Sequence, residues 1–175
     1  MKRTWIMALA LLWAPGSVAG QVELGVDFFG IDYYDEDGAS DAAIGVSLPV
    51  SGMRVGFPAG SNIIIETRLE FDWFKQGDGS ARDLTLIPGL NYLINEQIYL
   101  RGEAGLSNFS FDPGTGSSIS GTQYIFGGGV GTRRSFGMGI LRLEGGVQIG
   151  TENADDGIAS YTNIYGSAGV SVTVN

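Results

Sequence analysis

The chain has 175 residues, with 29 glycines, 11% aromatic residues and a formal net charge of −9, and it contains neither cysteine nor histidine. Without cysteine there are no disulfides and no lipid-anchored lipoprotein form; without histidine, the usual Ser-His-carboxylate hydrolase and His/Cys zinc sites are ruled out. The acidity argues against a nucleic-acid partner.

Lys2 and Arg3 precede the apolar run Trp5–Trp13, and Ser17-Val18-Ala19 and Val18-Ala19-Gly20 offer small-residue cleavage contexts. Residues 1–20 therefore read as a secretory signal peptide, too short for a membrane-spanning helix. The remainder, 21–175, reads as one domain with 8 basic against 19 acidic residues, a net charge of −11. Disorder needs low hydrophobicity and few aromatics, whereas an all-β domain suits this composition.

After residue 20 the apolar residues alternate with polar ones, the period of a strand. Gln21–Tyr34 places Val22, Leu24, Val26 and Phe28 opposite Glu23, Gly25 and Asp27, and runs into the acidic loop Asp35–Asp41. The second strand lies within Ala42–Phe57, with a bulge or bend expected near Pro49–Gly52. Pro58–Asn62 is a turn. Ile63–Phe74, the third strand, alternates most strictly: Ile65, Thr67, Leu69, Phe71 and Trp73 against Glu66, Arg68, Glu70 and Asp72. Lys75–Arg82 reads as a polar loop, Asp83–Ile94 as the fourth strand, Asn95–Gln97 as a tight turn and Ile98–Phe111 as the fifth strand. Asp112–Gly121 is a third polar loop, followed by the glycine-rich strand Thr122–Arg134, a turn near Ser135–Gly139, the strand Ile140–Glu152, a loop over Asn153–Ser160 and the eighth strand Tyr161–Val174.

Two features of this series point to a membrane. The connections after strands one, three, five and seven are polar and longer than those after two, four and six, the asymmetry of an outer-membrane barrel. Aromatic residues gather at both ends, with Tyr33, Tyr34, Trp73, Phe74, Phe109, Phe111, Tyr124 and Tyr161 beside the longer loops and Phe57, Tyr92, Tyr99 and Phe136 beside the shorter turns. Two such groups are expected to form belts at the two membrane–water interfaces.

If the apolar faces meet lipid, Arg54, Glu66, Arg68, Glu70, Arg101, Glu103, Arg142 and Glu144 point into the barrel. An eight-stranded barrel is just wide enough for side chains to fill, and charges enclosed there must be paired. These eight residues are expected to form a lumen ion network. Glu66 and Glu70 are also spaced as a carboxylate pair for acid–base chemistry, but a structural network is the stronger reading. Gly127-Gly128-Gly129-Val130-Gly131-Thr132 has the look of a phosphate loop, yet no Lys-Ser/Thr or helix follows; a strand with small inward positions explains it better. Asp35-Glu36-Asp37 and Asp155-Asp156 are carboxylate clusters without EF-hand spacing, and read as solvated loop tips. No catalytic residue, metal site or cofactor is expected.

The signal peptide, the eight alternating segments and the loop rhythm resemble the small OmpA-like and OmpX-like outer-membrane barrels. Ser167, Gly169, Val172 and Val174 occupy the spacing of the family's C-terminal signature, with valine where the family has aromatics. The resemblance implies a closed eight-stranded antiparallel up-and-down transmembrane β-barrel in the outer membrane. It also implies contact with lipid, lipopolysaccharide and the barrel-assembly machinery, and a structural, adhesive or partner-binding role with a narrow pore at most. The rival is a soluble periplasmic barrel of lipocalin-like shape, whose apolar row would line a ligand cavity. The two readings turn opposite faces of Ile63–Phe74 to the outside.

Overall fold

In a computed structural model, residues 21–37, 42–47, 52–115, 117–151 and 159–174 are described, with backbone alone for Ser47, Phe74 and Gln76. The alternating segments all form strands: β1 Val22–Glu36, β2 Ala43–Ser47, β3 Gly52–Pro58, β4 Ile63–Gln76, β5 Gly79–Leu93, β6 Ile98–Asp112, β7 Ile119–Phe136, β8 Gly139–Gly150 and β9 Tyr161–Val174. Each pairs antiparallel with its neighbour, and β9 returns to β1 from Val22↔Val174 to Glu36↔Tyr161, closing the barrel. Closure satisfies backbone groups that an open sheet would leave at its edges.

The nine strands make eight staves. β2 and β3 both lie along β1, at Gly30↔Ser47 through Tyr34↔Ala43 and at Glu23↔Gly56 through Asp27↔Gly52. They are two parts of the expected second strand, and the bend expected near Pro49–Gly52 falls largely on residues 48–51, outside the described residues. β3 pairs with β4 from Pro58↔Ile64 to Met53↔Leu69; above Leu69, the described ladder on β4 is with β5 alone.

Among the described residues the expected loop Asp112–Gly121 is shortened by β7 beginning at Ile119, and one expected loop is lost. Lys75–Arg82 is not a loop: β4 and β5 continue through Lys75↔Ser80 and Gln76↔Gly79, leaving Gly77 and Asp78 as the turn. A two-residue hairpin turn needs a positive φ, and Gly77 supplies one at 59° without the steric cost a side chain would bring. Polar composition marks solvent there, and solvent suits the end of a long hairpin as well as a loop. At the end bearing the termini, Asn95 Oδ1 accepts from the backbone N–H groups of Gln97 and Ile98, both at 2.8 Å, fixing that turn.

The outside of the barrel is apolar and the inside is polar. Leu100, Phe126, Val130, Leu143, Ile149 and Ile164 are each about half exposed on the outer face. Glu66, Arg68, Arg101 and Glu144 are at most 5% exposed inside. The apolar row of β4, including Phe71 at 64% and Trp73 at 61% exposure, faces outward. A lipocalin-like arrangement, with that row lining a cavity, is therefore overturned. Strands of about 14 residues, at roughly 3.3 Å per residue and tilted by about 40°, rise some 35 Å and span a hydrocarbon layer.

Candidate functional site

Among the described residues the lumen is where the fold concentrates chemistry, and strand parity delivers each side chain to it. β3 contributes Arg54, β4 Glu66, Arg68 and Glu70, β6 Arg101 and Glu103, and β8 Arg142 and Glu144. The structure brings all eight inside. It adds Glu23 and Asp27 from β1 and Arg133 from β7, giving five arginines and six carboxylates in ion pairs among the described residues. Glu23 and Asp27 share the polar parity of β1; the alternation that found Glu66 also marks them.

Glu66 sits at the centre. It accepts from Arg54 Nη1 at 3.0 Å, from Arg101 Nη1 at 2.6 Å and from Arg142 Nη1. Arg54 also donates through Nε to Asp27 Oδ2 at 2.7 Å and through Nη1 to Glu144 Oε2 at 3.1 Å. Glu144 is held further by the Tyr99 hydroxyl at 2.7 Å and the Tyr165 hydroxyl at 3.1 Å. Arg101 Nε donates to Glu103 Oε2 at 2.5 Å, and Gln148 Nε2 donates to Glu103 Oε1 at 2.8 Å. Toward the termini, Glu23 joins Arg142 to Arg133. Pairing of this density is what burial of charge requires, and these side chains occupy the cross-section.

The glycines of β7 make the room. A Cβ at Gly131 would lie 2.2 Å from Tyr99 Cζ, and one at Gly129 would lie 3.1 Å from the Tyr165 hydroxyl. The run Gly127–Gly131 is thus the seat of two buried tyrosines and lies within a strand; no helix adjoins it to hold a phosphate.

Parity also sorts the expected aromatic belts, and five positions need correction. Tyr33, Trp73 and Tyr124 face outward at the loop end, as do Phe57, Tyr92 and Phe136 at the terminal end. Tyr99 is 1% exposed and lies in the lumen, because it shares the inward parity of Arg101. Phe109 and Phe111 follow that parity, and Tyr34 and Tyr161 stack inside with ring centroids 4.7 Å apart. For Tyr34 the cause is a register shift between Asp27 and Phe29, which turns the even-numbered residues of upper β1 inward. The side chain of Phe74 lies outside the described residues.

Above the network the lumen widens into a chamber of about 450 Å³ at the loop end. Ile87, Phe109 and Ile125 form one side, Glu36, Glu70 and Asp83 contribute carboxylates, and no lysine or arginine is among the described lining residues. Asp83 Oδ1 accepts from Thr85 Oγ1 at 3.1 Å and Ser107 Oγ at 2.5 Å. The acidic residues Asp155 and Asp156 lie outside the described residues, and no group of three or more potential metal ligands occurs among the described ones.

No family model matches the chain, and no curated protein matches it in sequence. Solved structures do match in shape. Neisserial surface protein A superposes with a TM-score of 0.61 at 16% identity, over 87% of this chain and 98% of that one. Ail, the attachment invasion locus protein of Yersinia pestis, superposes at 0.57 and 16% identity, over 88% and 98%. Ail in complex with the heparin analogue sucrose octasulfate superposes at 0.54 and 14% identity, over the same shares. The fold is that of the small eight-stranded outer-membrane barrels. Its closed ladder, apolar exterior and polar interior meet the requirement that a membrane-spanning chain satisfy its own backbone polar groups.

Proposed function

We propose that this chain is a non-catalytic integral protein of the outer membrane, sealed across its lumen, that acts through the surface it presents at the loop end. The observation that carries this reading is the pairing of five arginines with six carboxylates across the barrel's interior, enclosed by a predominantly apolar outer surface. Glu66 and Glu70 are poor candidates for acid–base work. Glu66 is engaged by three guanidinium groups, and Glu70 is held by Arg68 Nε at 2.8 Å. Both oxygens of Glu66 accept from arginines, which leaves the pair without a second carboxylate free to meet a substrate.

The surroundings implied are lipid and lipopolysaccharide, with the assembly machinery as a transient partner during insertion. Binding of a sulfated polysaccharide analogue, as in the Ail complex, suits a basic surface; this chain carries a net charge of −9. A structural or adhesive role toward neutral or cationic partners fits the acidity better. Two measurements test the reading together: fractionation of the full chain expressed in a bacterium with an outer membrane, and its gel mobility with and without boiling. Recovery in the outer-membrane fraction with heat-modifiable migration is expected. Recovery as a detergent-free soluble monomer overturns the reading.

A further inference from the structure

The chamber above the ion network is not explained by sealing or by surface display. A barrel interior that only needed filling would continue the charge pairing upward. Instead the inward positions change character: Ile87 and Ile125 are 0% and 3% exposed, and Phe109 joins them on the same side of the chamber. Carboxylates adjoin this apolar side: Asp83 is the cross-strand neighbour of Phe109, Glu36 comes from β1, and no lysine or arginine is among the described lining residues, although Arg68 engages Glu70 from below. At the mouth, Tyr34 and Tyr161 present stacked rings. Asn163, which lines the chamber, donates its amide N–H groups to Asp32 and Gln148, while its buried Oδ1 has no hydrogen-bond partner.

We propose that this chamber binds a small organic cation with an apolar body, of the alkylammonium or aryl quaternary-ammonium class. The volume of about 450 Å³ lies within the usual range for a small-molecule pocket, where an apolar lining and a few convergent polar groups set orientation. Each alternative class leaves part of the lining unmatched. An anion is repelled by Glu36 and Asp83; a neutral apolar molecule that displaces the water leaves those carboxylates without a counter-charge; an inorganic cation leaves Phe109, Phe111 and Ile119 against water. A cation with an apolar body places its charge toward Asp83 and the tyrosine rings, whose faces attract quaternary ammonium groups, and its body against Phe109, Phe111 and Ile119. The Thr85 and Ser107 hydroxyls hold the Asp83 carboxylate in place before any ligand arrives.

The test is a calorimetric titration of the full refolded chain, in non-ionic detergent, with benzyltrimethylammonium. Saturable binding of one molecule per barrel is expected, about tenfold tighter than either tetramethylammonium or benzyl alcohol. Asp83→Asn and Phe109→Ala each weaken it at least about fivefold, while Glu96→Gln, in a turn at the opposite end, does not. The second variant keeps the test decisive should Asp83→Asn fail to fold, as judged by heat-modifiable migration. Absence of saturation, equal binding of tetramethylammonium or benzenesulfonate, or unchanged affinity in both chamber variants overturns the proposal. Membrane location is read by fractionation, so failure here leaves the reading of the barrel itself standing.

Discussion

From Arg68 down to the termini the lumen holds five arginines locked onto Glu23, Asp27, Glu66, Glu103 and Glu144, and above Glu70 it holds Asp32, Glu36, Asp72 and Asp83, which make no ion pair among the described residues. Both halves come from the same period-2 alternation on the same strands. The difference lies in water. In the lower half the side chains of Glu66 and Arg101 are at most 1% exposed, so each charge needs a partner that compensates its lost hydration. Toward the mouth the lumen opens, Asp72 is exposed, and solvent screens the carboxylates as long as no ligand displaces it. Alternation assigns a side chain to the lumen; depth decides whether its charge must be paired.

The comparison is sharpest at Glu66, whose removal leaves three guanidinium groups short of a carboxylate. Glu66→Ala should cost on the order of 3–5 kcal/mol in a urea refolding titration, the range for breaking a buried pair. A smaller loss should follow Gly131→Val, because a side chain there must displace the Tyr99 ring, whose Cζ lies 2.2 Å from the Cβ position; about 1–3 kcal/mol is expected in the same titration. Glu70 marks the transition between the halves. Its side chain is 29% exposed and it pairs with Arg68 alone, so Glu70→Ala should cost about 1 kcal/mol or less. A Glu70 variant as damaging as the Glu66 variant would erase the distinction between the halves.

Much of this was legible in the sequence, for reasons that differ by residue. Glu66, Arg68 and Glu70 sit in the strictest alternation of the chain, where the assignment to one face is unambiguous. Tyr99 and Phe109 were harder to place. An aromatic at a strand end suits a membrane interface as well as a lumen, and only their shared parity with Arg101 separates the two. Tyr34 was beyond such counting, because the irregularity after Asp27 inverts the parity downstream, and Gly30 beside it is one of many glycines in these strands and does not single it out. The partners were equally hidden: Tyr99 meets Glu144 across 45 positions of sequence, and Arg54 meets it across 90. Alternation determines which face a side chain takes, while barrel closure determines which residue it meets.

The central claim is that paired charge closes the lower lumen while the upper lumen stays open to solvent at the loop end. Planar-bilayer recording of the refolded, reconstituted chain tests it most directly. Wild-type barrels should insert without steady conductance steps, while Glu66→Ala should produce intermittent anion-selective openings, because the arginines it leaves unpaired line the gap. A steady conductance through the wild-type barrel, unchanged by Glu66→Ala, would contradict the account.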